Sequence, residues 1–221
     1  MIETVFFIVI FSLFIMPPIL TKDAATALFT SWTFPLVPLL HALLALFVYR
    51  FLCGRRVLSA KARGHASLII KLLYALGAFC CLCVTAALIT RTIRLLGSAQ
   101  RFTVALPSSA REAAYCIINF ACASFYEEVL YRRYMPETMQ MILERMYSTA
   151  HGRRTTALIS EAASVLLFAL AHRYLGIASV CNALVAGIVL RIACKKSGTI
   201  WVNFVAHFAY NIVSLTLFAV R

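Results

Sequence analysis

The sequence is a succession of apolar runs separated by short polar or basic segments. Seven runs have about the length of the ~20 residues with which an α-helix crosses a bilayer, and their apolar positions are continuous rather than alternating. This pattern predicts an all-α fold, a polytopic bundle of about seven transmembrane helices within a range of six to eight. The runs cover residues 2–20, 32–53, 72–89, 113–130, 157–172, 177–193 and 200–220.

The fourth run is predicted to continue beyond its apolar stretch. A helical pattern extends from Arg133 to Met146 as an amphipathic segment that suits the membrane surface. Pro136 should bend or interrupt this helix, because proline lacks the backbone N–H that a helix interior uses. No internal repeat, low-complexity tract or inter-domain linker divides the sequence, so we expect one integral membrane domain over residues 1–221.

Composition supports the membrane class and limits what the basic charge can mean. Hydrophobic residues make up 62% of the 221 residues and charged residues 13%, against ~25% charged in soluble domains. The net charge of +13 comes from 21 Lys and Arg against 8 Asp and Glu. These basic residues cluster between apolar runs, where anionic lipid headgroups attract them. The expected partners are therefore membrane lipids and not nucleic acid, and no oligomeric state is predicted.

Loop charges predict the orientation. The basic segments 50–71, 145–154 and 191–196 belong in the cytoplasm by the positive-inside rule, which places the N-terminus there and, with seven spans, the C-terminus outside. Arg91, Arg94, Arg101 and Arg111 then fall on the opposite side. This conflict indicates either an interfacial helix after the third run or a span count that is wrong by one.

Three charged residues stand inside the fourth run. On an insertion scale each central charge costs ~2.5–3.5 kcal/mol, so these groups must pair or face a wet cavity, and they mark a candidate site. Glu128 and Arg132 share a helix face four residues apart and are expected to form an ion pair. Glu127 points about 100° away. It is therefore left without a local cation, in a position suited to a general base.

Two later helices carry polar groups at the same spacing. Phe168 and His172 end the fifth run, and His207 and Asn211 share a face of the seventh. Asn203, one turn before His207, extends that polar stripe. Polar groups on three helices are the usual way in which a helical bundle assembles a site in its core.

The residue types favour hydrolysis by an activated water. Glu127 and His172 can hold and deprotonate the water, while His207 and Asn211 can donate hydrogen bonds to the oxyanion. The sequence contains no H-E-x-x-H and no G-x-S-x-G, so neither a zinc protease nor a serine hydrolase is favoured. No metal and no cofactor is expected.

In this order the motifs E-E-x-x-x-R (127–132), F-x-x-x-H (168–172) and H-x-x-x-N (207–211) resemble those of the CPBP intramembrane proteases. This family, also called Abi, comprises CAAX proteases and bacteriocin-processing enzymes. The resemblance covers about residues 113–215, the expected catalytic core. It implies a metal-independent glutamate-type endopeptidase with a cavity open to the cytoplasm. It assigns Glu127 and His172 to water activation, His207 and Asn211 to the oxyanion, and Glu128 and Arg132 to support of the site.

The resulting hypothesis is an intramembrane endopeptidase that cleaves a lipidated or membrane-associated substrate, such as a CAAX-like or leader peptide. Phe168 and Tyr131 are the candidate substrate-binding residues. The sequence departs from the family pattern at Tyr131, where Phe is usual, and at Arg133, where Gly is common. The alternatives are a non-proteolytic scaffold or bacteriocin-immunity-type protein, and a proton-coupled transporter using Glu127. The compact size suggests the bacterial inner membrane, with the endoplasmic reticulum as the alternative.

Overall fold

The computed structural model describes residues 2–21, 32–53, 67–96, 105–146 and 150–219. Within these ranges the chain is helical and has no strand, which confirms the all-α prediction. The helices are α1 (Ile2–Ile10, continued by a π-helical segment Phe11–Ile15 and a last turn Met16–Leu20), α2 (Leu36–Phe47, continued by a π-helical segment Val48–Cys53), α3 (Leu68–Leu95), α4 (Ala110–Glu127), a π-helical segment Glu128–Tyr134, α5 (Met135–Met146), α6 (Ala150–Leu170), a 3₁₀ turn Arg173–Leu175, α7 (Ile177–Ser197) and α8 (Ile200–Ala219).

The apolar helices correspond to the predicted runs, as expected of a multi-pass integral membrane protein. Four segments are long and apolar enough to cross a membrane: Glu3–Leu20, Leu68–Ile93, Gly152–Leu175 and Ile177–Ser197. Two shorter apolar helices cover Leu36–Arg50 and Ile200–Leu215. The remaining run corresponds to α4. Most of the basic segment 50–71 lies outside the described residues, as does Arg101.

Two helices are longer than the apolar runs predicted. Helix α3 continues to Leu95, so Arg91 lies on its final turns and not on a separate interfacial helix. Helix α6 begins at Ala150, seven positions before the predicted start. The apolar pattern underestimates the lengths of both helices because it ends at the first basic residues. Long basic side chains can still lie on a helix end, with their stems against apolar surface and their charges outside the bilayer. Arg91 and Arg153 are both exposed.

The long fourth helix is continuous from α4 through the π-helical segment into α5. Ser109 caps its start, since its hydroxyl accepts a hydrogen bond from the Glu112 backbone N–H at 3.2 Å. Pro136 lies in the first turn of α5, and the irregular segment ends two residues before it. The helix therefore passes the proline, and Glu127 lies near the middle of the run. This position lets Glu127 share a depth with groups on other helices.

Helices α4 and α8 run antiparallel beside one another. Ser124 contacts Asn211, and Glu128, one turn later, contacts His207, one turn earlier on α8. A step of four residues forward on one helix thus matches four backward on the other. Polar groups placed at helical spacing on both helices consequently meet along one seam.

Helix α7 closes the site from the side of α6, and small buried residues allow the close approach. A Cβ atom at Gly187 would lie 3.2 Å from Val165 Cγ1 and 3.3 Å from Phe168 Cδ1, so the α7 backbone lies directly against the Phe168 ring. Ala183 and Ala186, also on α7, are buried. Small residues at membrane helix contacts commonly serve this purpose.

An ion pair places two ends of the bundle on the same side. Arg145, at the end of α5, contacts the Glu3 carboxylate at 2.7 Å, near the start of α1. The predicted orientation puts both ends in the cytoplasm. The contact agrees with the prediction that both ends lie on the same side of the membrane. That this side is the cytoplasmic one stays a prediction.

Candidate active site

The Glu128 carboxylate is the centre of the polar cluster and is completely buried. One oxygen accepts a hydrogen bond from Asn203 Nδ2 at 2.9 Å. The other accepts one from His207 Nδ1, also at 2.9 Å. Arg132 Nε lies 3.5 Å from Oε2, so the expected pairing of Glu128 with Arg132 is present but is longer than the two contacts from α8. Two helices therefore share the compensation of one buried charge.

Arg132 is 1% exposed and is held by charge and by an aromatic face. Its guanidinium carbon lies 4.2 Å from the centroid of the Phe168 ring, a cation–π geometry. Among the described residues its three guanidinium nitrogens make no hydrogen bond. The cation thus depends on the Glu128 charge and on the ring of Phe168.

The two residues predicted to bind substrate are buried in this structure. Phe168 is 2% exposed and Tyr131 3% exposed, and their rings meet edge to face with centroids 5.2 Å apart. The Phe168 ring contacts Arg132 and His172, and the Tyr131 ring packs against Phe168. Direct contact of either ring with a substrate stays a prediction.

Glu127 occupies a different environment from Glu128, as adjacent helix positions predict. Its side chain is 24% exposed, and its Oε2 lies 3.7 Å from His207 Nε2. His207 therefore stands between two carboxylates, with one ring nitrogen toward each. Glu127 is the carboxylate of this pair that remains accessible.

His172 is oriented by the end of helix α6. Its backbone N–H bonds to the Ala169 carbonyl at 3.0 Å, which leaves the Phe168 carbonyl without a helical donor. The ring Nδ1 lies 2.8 Å from that carbonyl oxygen. Because a carbonyl only accepts, Nδ1 carries the proton and the lone pair of Nε2 is free. Among the described residues, no hydrogen bond or ion pair joins His172 to Glu127.

Asn211 contributes to the same seam one turn beyond His207. Its Nδ2 donates to the hydroxyl of Ser124 at 3.1 Å, and Ser124 is fully buried. An asparagine amide has two N–H donors, so one remains for another acceptor.

In the described part of the chain, no three His, Cys, Asp or Glu side chains are grouped as a metal site.

The predicted pairing of Glu128 with Arg132 is present, but the two shorter contacts to Glu128 from α8 were not predicted. Asn203 was predicted only to extend a stripe, yet it is 0% exposed and also donates to the Leu190 carbonyl at 2.6 Å. His207 was assigned to the oxyanion alone, whereas its Nδ1 bonds to Glu128. The four-residue spacing places Asn203, His207 and Asn211 on one face, but it does not specify that this face meets Glu128.

Comparison with known families agrees with the three motifs. Residues 109–213 match the family model described as type II CAAX prenyl endopeptidase Rce1-like. The matched range contains all three motifs, so the predicted resemblance to CAAX proteases is confirmed, and CAAX protease activity in general is supported. No curated protein and no solved structure matches the chain.

Proposed function

From this match we propose that the chain is an intramembrane endopeptidase that hydrolyses a peptide bond through a water activated by Glu127. The observation that carries the proposal is the division of labour between adjacent carboxylates. Glu128 is buried and paired with Arg132, whereas Glu127 is partly exposed and its Oε2 lies 3.7 Å from Nε2 of His207. A site with one structural and one reactive carboxylate is suited to general base catalysis.

Glu127 and His172 handle the water in this proposal. The water donates one proton to the Glu127 carboxylate and its second hydrogen bond to the free Nε2 of His172. Its oxygen then attacks the scissile carbonyl carbon. When the C–N bond breaks, the proton held by Glu127 passes to the leaving amine. The second proton of the water leaves the new carboxyl group through His172 and ends on the amine, so the products are a carboxylate and an ammonium group. No covalent intermediate with the enzyme forms.

The oxyanion is stabilised from helix α8. His207 is doubly protonated in this scheme: Nδ1–H donates to Glu128, and Nε2–H is available to the developing negative charge. The second amide N–H of Asn211, one turn away, supplies the other donor. Losing one such donor typically costs about 10²–10³ in rate.

Glu128 and Arg132 act as positioning residues. Glu128 fixes the ring of His207 through the 2.9 Å contact to Nδ1, as a buried carboxylate commonly fixes a catalytic histidine. Arg132 keeps Glu128 ionised by its proximity. The substrate in this proposal is a lipidated or membrane-associated peptide, CAAX-like or leader-like, which reaches a site among membrane helices from the bilayer. In this proposal the protein lies in a bacterial inner membrane, and its active-site cavity opens toward the cytoplasm.

Peptide cleavage in proteoliposomes tests the proposal. We expect the wild type to cleave a prenylated CAAX peptide, and Glu127→Gln and His172→Ala each to lower kcat by about 10²–10⁴. Glu3→Gln is the matched control, because it neutralises a carboxylate that pairs with Arg145 away from the site. Thermal unfolding of each variant verifies its fold.

Cleavage that survives either substitution would refute the assigned mechanism. Cleavage of an unprenylated peptide of the same sequence, measured in parallel, shows whether the substrate must carry the lipid. Cysteine labelling of the ends of α1 and α5 from each side of a vesicle tests the orientation.

A further inference from the structure

We propose that Arg191 and Ser164 are positioning residues that hold the π-helical segment carrying Glu128 and Arg132 by capping two of its backbone carbonyls. The inference rests on the proposed function for its effect on catalysis. The contacts behind it are independent of that function.

The need for the caps comes from Pro136. In an α-helix the N–H of residue 136 would bond to the carbonyl of Arg132, and in a π-helix to that of Tyr131. The preceding residue shows the π pattern, since the Met135 N–H bonds to the carbonyl of Leu130. Proline has no N–H. Neither carbonyl therefore receives a hydrogen bond from position 136.

Two neighbouring helices supply the missing donors. The Ser164 hydroxyl of α6 donates to the Tyr131 carbonyl at 2.6 Å. The Arg191 Nη1 of α7 donates to the Arg132 carbonyl, also at 2.6 Å. Ser164 is 1% exposed, so this contact lies in the dry interior, where an unpaired carbonyl is costly. Both carbonyls that an N–H at position 136 could have reached thus have a side-chain donor.

The second nitrogen of Arg191 identifies a matched control. Arg191 Nη2 contacts Glu161 at 3.3 Å, and the same carboxylate contacts Lys195 Nζ at 2.8 Å. Arg191 and Lys195 both lie on α7, one turn apart, and share an acid. In the described structure only Arg191 also bonds to the π-helical segment.

The catalytic consequence follows from where that segment leads. Glu128 begins it, and the Glu128 contact to His207 is 2.9 Å. A misplacement of about 1 Å in a catalytic constellation can cost about 10² in rate. Losing the Arg191 cap should therefore lower kcat, while KM should change little, because the contacts of Arg191 are to Glu161 and to the backbone of the segment.

Peptide cleavage by four variants tests this reasoning. We expect Arg191→Met to lower kcat by about 10- to 100-fold with KM within about twofold, and Lys195→Met to keep wild-type kcat. Ser164→Ala should lower kcat in the same direction. Adding Pro136→Ala to Arg191→Met should recover most of the lost kcat, because residue 136 then carries an N–H.

Amide hydrogen exchange of the segment from Glu128 to Glu137 gives a readout that needs no activity. It should accelerate in Arg191→Met and stay unchanged in Lys195→Met. Equal losses of kcat in both variants, or unchanged exchange in Arg191→Met, would overturn the inference. A wild type that cleaves no peptide refutes the proposed function instead, and the exchange result still decides the role of Arg191.

Discussion

The buried pair of Glu128 and Arg132 offers the most demanding test of the site. The substitution Glu128→Gln keeps the size of the side chain and one acceptor oxygen but removes the negative charge. Arg132 then stays buried, at 1% exposure, with no hydrogen bond from its guanidinium in the described structure. Its remaining support is the ring of Phe168 at 4.2 Å.

The magnitude follows from the distance. Two unit charges at the observed separation of 3.5 Å interact by ~5 kcal/mol at an effective dielectric constant of ~20. Removing one member of a buried pair typically costs about 3–5 kcal/mol. Asn203 and His207 bond to different oxygens of Glu128, and one of these becomes an NH2 group in glutamine, so one of the two donors loses its acceptor and adds to the loss. We expect Glu128→Gln to lower the free energy of unfolding by about 3–5 kcal/mol.

Removing the other member of the pair should lower the stability less. Arg132→Met leaves the Glu128 carboxylate with its two donors at 2.9 Å and removes the cation–π contact, worth about 2 kcal/mol when desolvated. The double variant Glu128→Gln/Arg132→Met leaves no buried cation without a partner. It should therefore be more stable than Glu128→Gln alone, as replacement of a whole buried pair often is.

Unfolding of detergent-solubilised protein, followed by fluorescence as denaturant increases, measures the three free energies and their coupling. Peptide cleavage is measured in parallel, and we expect kcat to stay low in the double variant because His207 has lost its anchor. The reasoning would be refuted if the effects on stability were simply additive, since additivity means that Glu128 and Arg132 do not interact. It would also be refuted if Glu128→Gln were as stable as the wild type.

Three further predictions follow from the same structure. Asn211→Ala should lower kcat by about 10²–10³ but the free energy of unfolding by only about 1 kcal/mol, the value of its bond to Ser124; single-turnover cleavage and denaturant unfolding separate the two. The backbone N–H and hydroxyl of Ser108 hold the pKa of Glu112 below its ordinary value, so the stability it contributes is present above the unfolded pKa and is lost as pH falls through the folded pKa; Glu112→Gln should flatten this acid-side loss in a pH series of thermal unfolding. A chelator should leave kcat within about twofold, because the proposed mechanism activates the water with Glu127 and His172 rather than with a metal; inhibition that added zinc reverses would contradict this.

The overall class and the site-bearing helices were predictable because their causes are local. Continuous apolar runs specify membrane helices through the cost of exposing backbone groups to lipid. The four-residue spacing placed Glu128 with Arg132 on one face, and His207 with Asn211 on another. The continuation of the fourth helix past Pro136 was predictable from the amphipathic helical pattern between Arg133 and Met146.

What the sequence by itself determined, then, was which helices exist and which side chains share a face. Only the tertiary structure decided which faces meet: Asn203 and His207, which lie 75 and 79 positions from Glu128, are its nearest donors, while Arg132, four positions away, is farther. The physical reason is that contacts between helices depend on register and on how closely backbones approach, and no periodicity within one helix encodes either. The caps from Ser164 and Arg191 are of the same kind. Pro136 indicates that a backbone N–H is missing near the carbonyls of Tyr131 and Arg132, but only the packing of α6 and α7 shows which side chains bond to these carbonyls.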